Sequence, residues 1–185
     1  IIIWTTTPWT IPANKALAYN ENLDYSIVEI DSALESFGNK KIVIATQLLD
    51  QVFKECGIGN YKLIEKIKGK DFKETICSHP LESLGFQHDI PMLEGNFVTL
   101  EQGTGIVHCA PSHGPDDFNL CLKHGIKSLD TIDDDGRYTK HIKKYEGIHI
   151  FKADKIVIEN LKESKKLLAN GKLTHSYPHS WRSKA

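Results

Sequence analysis

Two segments far apart in the chain carry side chains that could do chemistry. The first is residues 4–10, WTTTPWT, in which four hydroxyls and two indole rings surround a proline. A cluster of hydroxyls at an irregular turn can hold a water molecule or the edge of a ribose. A run of β-branched residues that ends at Pro8 is equally typical of a strand, so spacing alone leaves both interpretations open. Trp4 and Trp9 are expected to pack in the core or to wall a pocket.

The second segment is residues 103–117, GTGIVHCAPSHGPDD, in which two histidines and two carboxylates stand among glycines and prolines. His108 ends a predicted strand, and Asp116 and Asp117 lie where a helix is predicted to begin. One aspartate is explained by the free N–H groups of a first helical turn, which favour a carboxylate. A second carboxylate beside a strand-end histidine can receive an ammonium group from a ligand.

Metal binding is the competing chemistry for these side chains. His108, His113 and Asp117 could offer nitrogen and oxygen ligands, but the two histidines do not share a helix face. His175 and His179 lie four residues apart, yet no Cys-x-x-Cys or His-x-His pair completes a set. We therefore expect neither a structural nor a catalytic zinc ion.

Other known site patterns are absent from the sequence. Residues 133–136, DDDG, resemble the start of a calcium loop, but Ile142 stands where the closing glutamate belongs. Neither a glycine-rich phosphate loop nor a Gly-x-Ser-x-Gly nucleophile elbow occurs. The sequence predicts no cofactor, and a metal hydrolase is kept only as a weaker alternative.

Length and composition limit what can position these side chains. With 185 residues, 40% of them apolar and 25% charged, the chain is long enough for one globular domain with its own core. Its net charge of -1 provides no field that would attract nucleic acid to the whole surface. No apolar stretch reaches the roughly 20 residues that span a bilayer, and the first residues lack the basic flank of a signal peptide. We therefore expect a soluble, cytoplasmic chain with no membrane contact.

The predicted elements are mostly short strands. Runs rich in β-forming residues cover residues 1–7, 16–19, 25–30, 41–44, 61–67, 97–100 and 104–109. Helical periodicity covers residues 46–55, 116–124 and 154–169. This spacing favours a mixed α/β fold with a bent or barrel-like β core and helices packed outside, rather than regular alternation of strands and helices.

Four segments together resemble the editing domain, also called CP1, of isoleucyl-tRNA synthetase. They are residues 4–14, 103–117, 134–139 and 175–182, which follow the family's order and cover the chain from end to end. The related valyl and leucyl enzymes share the threonine-rich and Gly-Thr-Gly elements. They typically have Arg-Pro-Glu-Thr in place of residues 7–10, however, and they lack the last segment.

The resemblance also predicts the domain organisation. In this family the editing domain is inserted in a Rossmann-type catalytic domain, which agrees with a chain that begins without Met and carries neither nucleotide-binding signature. Residues 1–171 are expected to form the editing domain and residues 172–185 an exit segment toward that catalytic domain. Ser180 and Ser183 replace cysteines of many relatives, so the metal role of that Cys-x-x-Cys is not available here. ATP binding is expected of the full-length protein alone.

A second selection step is the activity that the resemblance implies. A site for isoleucine cannot strongly exclude valine, because a missing methylene is worth about 1–3 kcal/mol, a limit for which isoleucyl-tRNA synthetase is itself the standard example. The editing domain would therefore hydrolyse the ester of mischarged valyl-tRNA(Ile), and could also hydrolyse valyl-adenylate. Because an aminoacyl ester is already activated, positioned water would suffice as nucleophile, without a metal or a covalent intermediate.

The resemblance assigns a role to each candidate site residue. It implies as catalytic Thr5, Thr6, Thr7 and Asp117, and as substrate-binding Trp4, Trp9, Asn14, His108 and Asp117. The aspartate would bind the α-ammonium group of the substrate, and the histidine would exclude the larger side chain. The three threonines would hold the adenosine end, the carbonyl and the attacking water, with the asparagine supporting their peptide.

The expected partners are the valine-carrying 3′-terminal adenosine of tRNA(Ile) and the catalytic domain of the same protein, and the fragment itself is expected to be monomeric. Two further functions stay open. One is a non-catalytic module that binds the tRNA acceptor end, and the other is the editing domain of a valyl-tRNA synthetase acting on threonyl-tRNA. Catalytic turnover separates the binding module from the two enzymes.

Overall fold

Two β-sheets form the framework of the computed structural model, which describes residues 1–30, 36–38 and 41–171. Their strands are β1 (Ala16–Tyr19), β2 (Asp24–Ile30), β3 (Lys41–Ala45), β4 (Tyr61–Lys68), β5 (Ile76–Ser78), β6 (Asp89–Glu94) and β7 (Val107–Cys109). The first sheet has the strand order β5-β6-β1-β7, and the second has the order β3-β2-β4.

Strand β1 lies inside the first sheet and is buried along its whole length. It runs parallel to β6 and antiparallel to β7, so Leu17 lies between Met92 and His108 in the register. A strand made only of apolar and aromatic residues, ALAY, suits a position that is covered on both faces. This pairing carries His108 into the interior of the protein.

Helices and short 3₁₀ turns complete the described part of the chain. The α-helices are α1 (Leu49–Glu55), α2 (Pro115–Lys123) and α3 (Ile150–Glu163), and the 3₁₀ turn nearest the candidate site is Pro8–Ala13. Pro8 and Pro115 each begin their element, where a missing N–H leaves no bond unmade. Within the described ranges, no helix has the length and apolar character needed to cross a membrane.

Apolar clusters join these elements. The cluster between the two sheets includes Leu17, Tyr25, Phe72, Ile90 and Ile106. A second cluster packs α3 against the 3₁₀ turn and includes Ile11, Ala13, Tyr138, Ala153 and Val157. The turn that follows the threonines is therefore held by the core, because its inner side chains are part of that core.

The predicted fold class, mixed α/β with a bent or barrel-like β core and helices outside, is confirmed, although the two sheets do not close into a barrel. Strands are found at the runs predicted for residues 16–19, 25–30, 41–44 and 61–67. The helix predicted at 116–124 is α2, displaced by one residue.

Several local predictions are wrong. Residues 1–7 do not form a strand, because Pro8 opens a 3₁₀ turn and the segment makes one backbone bond to β3, from the N–H of Ile2 to the carbonyl of Val43 at 3.3 Å. Residues 97–100 form no strand either. Strand β6 was not predicted, and Pro91 inside it is typical of a strand break. Strand β5, which has three residues, was not predicted either.

The third helix is also displaced from its prediction. It begins at Ile150 because the His149 side chain accepts the N–H of Phe151 at 3.2 Å and so caps it. It ends at Glu163, and Lys165, with φ of 53°, turns the chain so that its carbonyl accepts the N–H of Gly38 at 2.9 Å. The exit segment predicted at residues 172–185 lies outside the described residues.

Candidate functional site

The threonine segment leads into the 3₁₀ turn Pro8–Ala13. Thr5 Oγ1 accepts the N–H of Thr7 at 3.1 Å and lies 3.3 Å from the Thr7 hydroxyl. The Thr7 carbonyl accepts two bonds from Thr10, one from its N–H and one from its hydroxyl, each at 2.9 Å. The hydroxyls of Thr5 and Thr7 therefore stand together at a half-buried turn, with the half-buried Thr6 between them in sequence.

A single hydrogen bond joins this turn to the second segment. The Nε2 atom of His108 lies 2.8 Å from Thr10 Oγ1, and the pair is buried. The Thr10 hydroxyl already gives its one proton to the Thr7 carbonyl, so the histidine must be the donor. His108 is therefore the tautomer that carries its proton on Nε2.

The same histidine is held in a neutral form by its surroundings. Burial, with a smaller effect of His113, lowers the pKa of His108 to about 4. Its other nitrogen, Nδ1, is buried and has no hydrogen-bond partner among the described residues. A buried acceptor that is left unpaired costs about 1–3 kcal/mol, so a donor brought by a bound molecule would recover stability here.

Asp117 closes the turn that connects β7 to α2. Its Oδ2 accepts the N–H of Ala110 at 2.9 Å, which draws the half-buried carboxylate back over the turn. Gly114 makes room for it, since a Cβ at that position would lie 3.1 Å from Oδ2. Burial raises the pKa of Asp117, and the Ala110 N–H opposes that rise. Asp116, by contrast, is exposed.

Trp9 is bound by residues from the second half of the chain. Its indole packs edge-on against His113, with ring centroids 4.8 Å apart, and His113 Nε2 lies 2.9 Å from Thr131 Oγ1. Its backbone is bound as well, because its N–H donates to Asp154 Oδ1 at 3.0 Å and its carbonyl accepts the Tyr138 hydroxyl. Trp9 is therefore fixed on both its side chain and its backbone.

The two segments also meet at their other ends. Trp4 lies against Gly103, where an added Cβ would be 3.8 Å from two atoms of the indole side chain. The Thr104 hydroxyl donates to the Ile2 carbonyl at 2.9 Å. Trp4 itself is 47% exposed, which leaves much of its ring open to a ligand.

Asn14 is buried at the end of the 3₁₀ turn. Its N–H donates to the Ile11 carbonyl at 3.0 Å, and its carbonyl accepts from His88 Nε2 at 2.9 Å. Its side-chain Oδ1 has no partner among the described residues. The contact that Asn14 makes with the turn therefore runs through its backbone.

An open cleft adjoins the second segment. Its volume is about 330 Å³. It is lined by Pro111, Ser112, His113, Phe118, Ser128, Asp130, Thr131 and Ile132.

The acidic run at residues 133–136 forms a turn. Asp133 Oδ1 accepts the N–H groups of Asp135 and Arg137, at 3.0 and 2.8 Å. Among the described residues, no three His, Cys, Asp or Glu side chains are placed to share a metal ion. His175 and His179 lie outside those residues.

Several polar contacts with the turn were not predicted from the sequence. Thr10, His79, His88, Tyr138 and Asp154 each hydrogen-bond the threonine segment or the turn that follows it. All but Thr10 lie 68 or more positions away from their partner in the chain. No local pattern could reveal them, because only tertiary packing brings them to the turn.

The family description "Leucyl-tRNA synthetase, editing domain" matches residues 28–170. An isoleucine–tRNA ligase of Pelagibacter ubique is 70% identical over all of this chain, which covers 20% of that protein. One of Gluconobacter oxydans is 42% identical over all of this chain and 21% of its own length. The chain thus spans about a fifth of the length of the curated relatives it matches.

Solved structures give the same fold at low sequence identity. The structure described as GlLeuRS-CP1 superposes with a TM-score of 0.67 at 16% identity, over 94% of this chain and 82% of that one. The editing domain of cytosolic leucyl-tRNA synthetase from P. knowlesi gives a TM-score of 0.61 at 15% identity, over 88% and 80%. With the match at residues 28–170, these comparisons confirm the resemblance: the chain belongs to the family of aminoacyl-tRNA synthetase editing domains.

Proposed function

We propose that this chain is the post-transfer editing domain of an isoleucyl-tRNA synthetase and that it hydrolyses the ester of valyl-tRNA(Ile), with valyl-adenylate as a further substrate. The observation that carries the proposal is the buried bond between Thr10 and His108, which joins the threonine turn to β7, the strand that precedes the turn of Asp117. The similarity to isoleucine–tRNA ligases over the whole chain supports the amino-acid class.

Water is the proposed nucleophile, and the threonine hydroxyls position it. Thr5 and Thr7 place two hydroxyls 3.3 Å apart at a half-buried turn. Each hydroxyl can donate to a carbonyl oxygen or accept from a water molecule, so the pair can hold both reacting groups. Orientation of this kind is a large part of catalysis when the substrate ester is already activated.

His108 is a poor general base in this arrangement. Its pKa of about 4 lies far below neutral pH, and its Nε2 carries the proton that binds Thr10. We therefore assign it to the pocket wall, where it would reject a side chain larger than that of valine. The bond to Thr10 and the surrounding sheet keep its ring rigid, which a size filter requires.

Asp117 is the proposed anchor of the substrate α-ammonium group. Its bond to the Ala110 N–H uses Oδ2, and Oδ1 would accept from the ligand. Burial raises the pKa of this carboxyl, which makes an incoming cation a favourable partner because it stabilises the ionised form. The site would thus bind the α-ammonium group and the ester of the same substrate together.

The tRNA and the catalytic domain are the proposed partners. Lys and Arg number 23 and Asp and Glu 24, so the chain itself offers no strong field for the tRNA backbone. Trp4, exposed beside Gly103, would pack against the terminal nucleoside. Most of the affinity for tRNA would come from the rest of the full-length protein.

Hydrolysis of valyl-tRNA(Ile) by the full-length protein tests the proposal, with Asp117→Asn as the site variant. Asparagine keeps an oxygen for the Ala110 N–H but removes the charge, so we expect single-turnover hydrolysis to fall by about a hundredfold or more. The control is Asp116→Asn, an exposed neighbour in the same helical turn, for which the rate should stay near wild type.

Equal rates for the two variants would contradict the assignment of Asp117. Binding of valyl-tRNA(Ile) by the wild-type protein without any turnover would indicate a binding module instead. Turnover of threonyl-tRNA(Val) in preference to valyl-tRNA(Ile) would indicate the valyl type of editing domain.

A further inference from the structure

The turn Pro8–Ala13 is held from outside by side chains that are remote in sequence. The Ile11 carbonyl accepts from His79 Nε2 at 3.0 Å, and the Asn14 carbonyl accepts from His88 Nε2 at 2.9 Å. Near the start of the turn, the Trp9 N–H donates to the Asp154 side chain, and the Trp9 carbonyl accepts from the Tyr138 hydroxyl. The backbone that follows the threonines is thus anchored at successive points.

The turn needs such support because its own hydrogen bonds stabilise it only weakly. A 3₁₀ turn has poor hydrogen-bond geometry and rarely extends beyond three or four residues, yet this one covers six. Pro8 and Pro12 have no N–H to contribute. External donors are therefore what keep the carbonyl groups of the turn in one arrangement.

His79 has the most constrained ring of these donors. It follows β5 and is 1% exposed. Its Nδ1 accepts the N–H of Leu81 at 3.0 Å, which leaves Nε2 to carry the proton that the Ile11 carbonyl receives. The ring also stacks on Phe86, with centroids 4.8 Å apart and planes 16° from parallel.

Burial keeps this histidine uncharged. It lowers the pKa of His79 to about 3, although the bond to the Ile11 carbonyl raises that pKa, and His88, His108 and Lys15 add smaller lowering contributions. A neutral ring with both nitrogens engaged has one tautomer and one orientation. It can therefore act as a fixed strut rather than as a proton carrier.

His88 makes the matching contact at the end of the turn. It precedes β6, is half-buried, and its ring lies 5.2 Å from that of His79. With His108 on β7, three histidines at or beside strands of the first sheet each bond the segment from Thr10 to Asn14. The sheet thereby sets where the turn lies.

We infer that His79 and His88 are positioning residues of the editing site, which donate to the Ile11 and Asn14 carbonyls and so fix the turn that carries Thr7 and Thr10. The inference rests on the proposed function. In this role neither histidine contacts the substrate. Both act through the backbone that places the hydroxyls and the Thr10 to His108 bond.

Two substitutions at each position separate positioning from plain stability. Gln places its amide nitrogen where His has Nε2, so His79→Gln and His88→Gln keep a donor to the turn. Asn is shorter and matches Nδ1, so His79→Asn keeps an acceptor for the Leu81 N–H but has no group that reaches Ile11. If the His79 variants do not fold, His88→Gln and His88→Asn provide the same comparison at a half-buried position.

The measurement is single-turnover hydrolysis of valyl-tRNA(Ile) by the full-length protein, with enzyme in excess over a range of concentrations. The Asn variants should lose about tenfold or more in the maximal rate, because displaced hydroxyls act on the reacting geometry. The enzyme concentration that gives half the maximal rate should change little. The Gln variants should recover most of the lost rate, and thermal unfolding should show that all four are folded.

The outcomes distinguish this inference from the proposed function. A wild-type protein that does not hydrolyse valyl-tRNA(Ile) overturns the proposed function. Hydrolysis by the wild type with equal losses in the Gln and Asn variants overturns the positioning role alone. Loss confined to the half-maximal concentration also overturns it, because that pattern belongs to substrate binding.

Discussion

Among single residues, the position of one proton between Thr10 and His108 limits what the histidine can do. The Thr10 hydroxyl donates to the Thr7 carbonyl, so His108 must donate to Thr10 through Nε2. Burial separately keeps the ring uncharged at neutral pH. A histidine beside an ester would ordinarily be considered as a general base. Here its fixed tautomer and its pKa of about 4 favour the role of a rigid wall.

The size filter can be tested by removing that wall. We expect His108→Ala to raise hydrolysis of isoleucyl-tRNA(Ile) by about tenfold relative to valyl-tRNA(Ile), because a missing ring admits the extra methylene. The ratio of the two single-turnover rates is the measurement, since loss of the Thr10 bond slows both reactions. His113→Ala, on the same turn but bonded to Thr131, is the control and should leave the ratio unchanged. No rise in the ratio for His108→Ala would refute the filter.

Among the elements, the second segment approaches β3 so closely that only glycine fits at position 105, just before β7. Gly105 has φ of 73°, and a Cβ there would lie 2.3 Å from the Cβ of Ala45. Its carbonyl also accepts the Tyr25 hydroxyl at 2.8 Å. The glycine thus lets the strand that carries His108 lie against the second sheet.

Alanine substitutions at two glycines test how closely Gly105 packs against Ala45. Gly125 has nearly the same φ, 72°, but an added Cβ would meet nothing within 4 Å. Gly125→Ala should therefore lower the free energy of unfolding by about 1 kcal/mol, from backbone strain alone. Gly105→Ala should lower it by about 3 kcal/mol or more, because the clash with Ala45 adds to the same strain.

Urea denaturation of the two variants provides the comparison. Similar losses at both glycines would show that the second sheet can move away from β7, and would contradict the close packing of Gly105 against Ala45.

At the scale of the whole molecule, buried neutral histidines link stability to pH. His79 and His108 have folded-state pKa values of about 3 and about 4, below the ordinary value of 6.5. At pH values between these folded-state pKa values and 6.5, the unfolded chain therefore binds more protons than the folded chain, and the free energy of unfolding rises with pH. Their contribution is complete above about pH 6.5 and is lost as the pH falls toward 4. Asp117, whose pKa is raised, works in the opposite direction.

The acid sensitivity should be visible in denaturation at a series of pH values. Each of the two histidines should account for roughly 2 kcal/mol of the free energy of unfolding lost between pH 7.5 and pH 4.5. His79→Gln cannot take up a proton and should lose less over the same range. An identical pH dependence in the variant and the wild type would show that His79 is not the titrating group.

The sequence by itself was sufficient for the family, the mixed α/β class and the position of α2. These depend on local information: Pro115 and the two aspartates mark a helix start, and WTTTPWT and GTGIVH are motifs whose residues lie side by side. Strands such as β3 and β2 could be predicted because their apolar residues alternate with polar ones or form short buried runs. The resemblance to editing domains, which the comparisons confirm, also rests on such motifs.

How the motifs meet depends on contacts between residues that are remote in sequence. Pro8 could end a strand or start a 3₁₀ turn, and the choice depends on the packing of α3 side chains around Ile11, which local propensity does not contain. Asp154 is read as a helix start from its sequence, but in the fold it lies inside α3 and accepts the N–H of Trp9. The bonds from His79, His88 and His108 to one turn join residues 68 or more positions apart, and such contacts exist only once the core has formed.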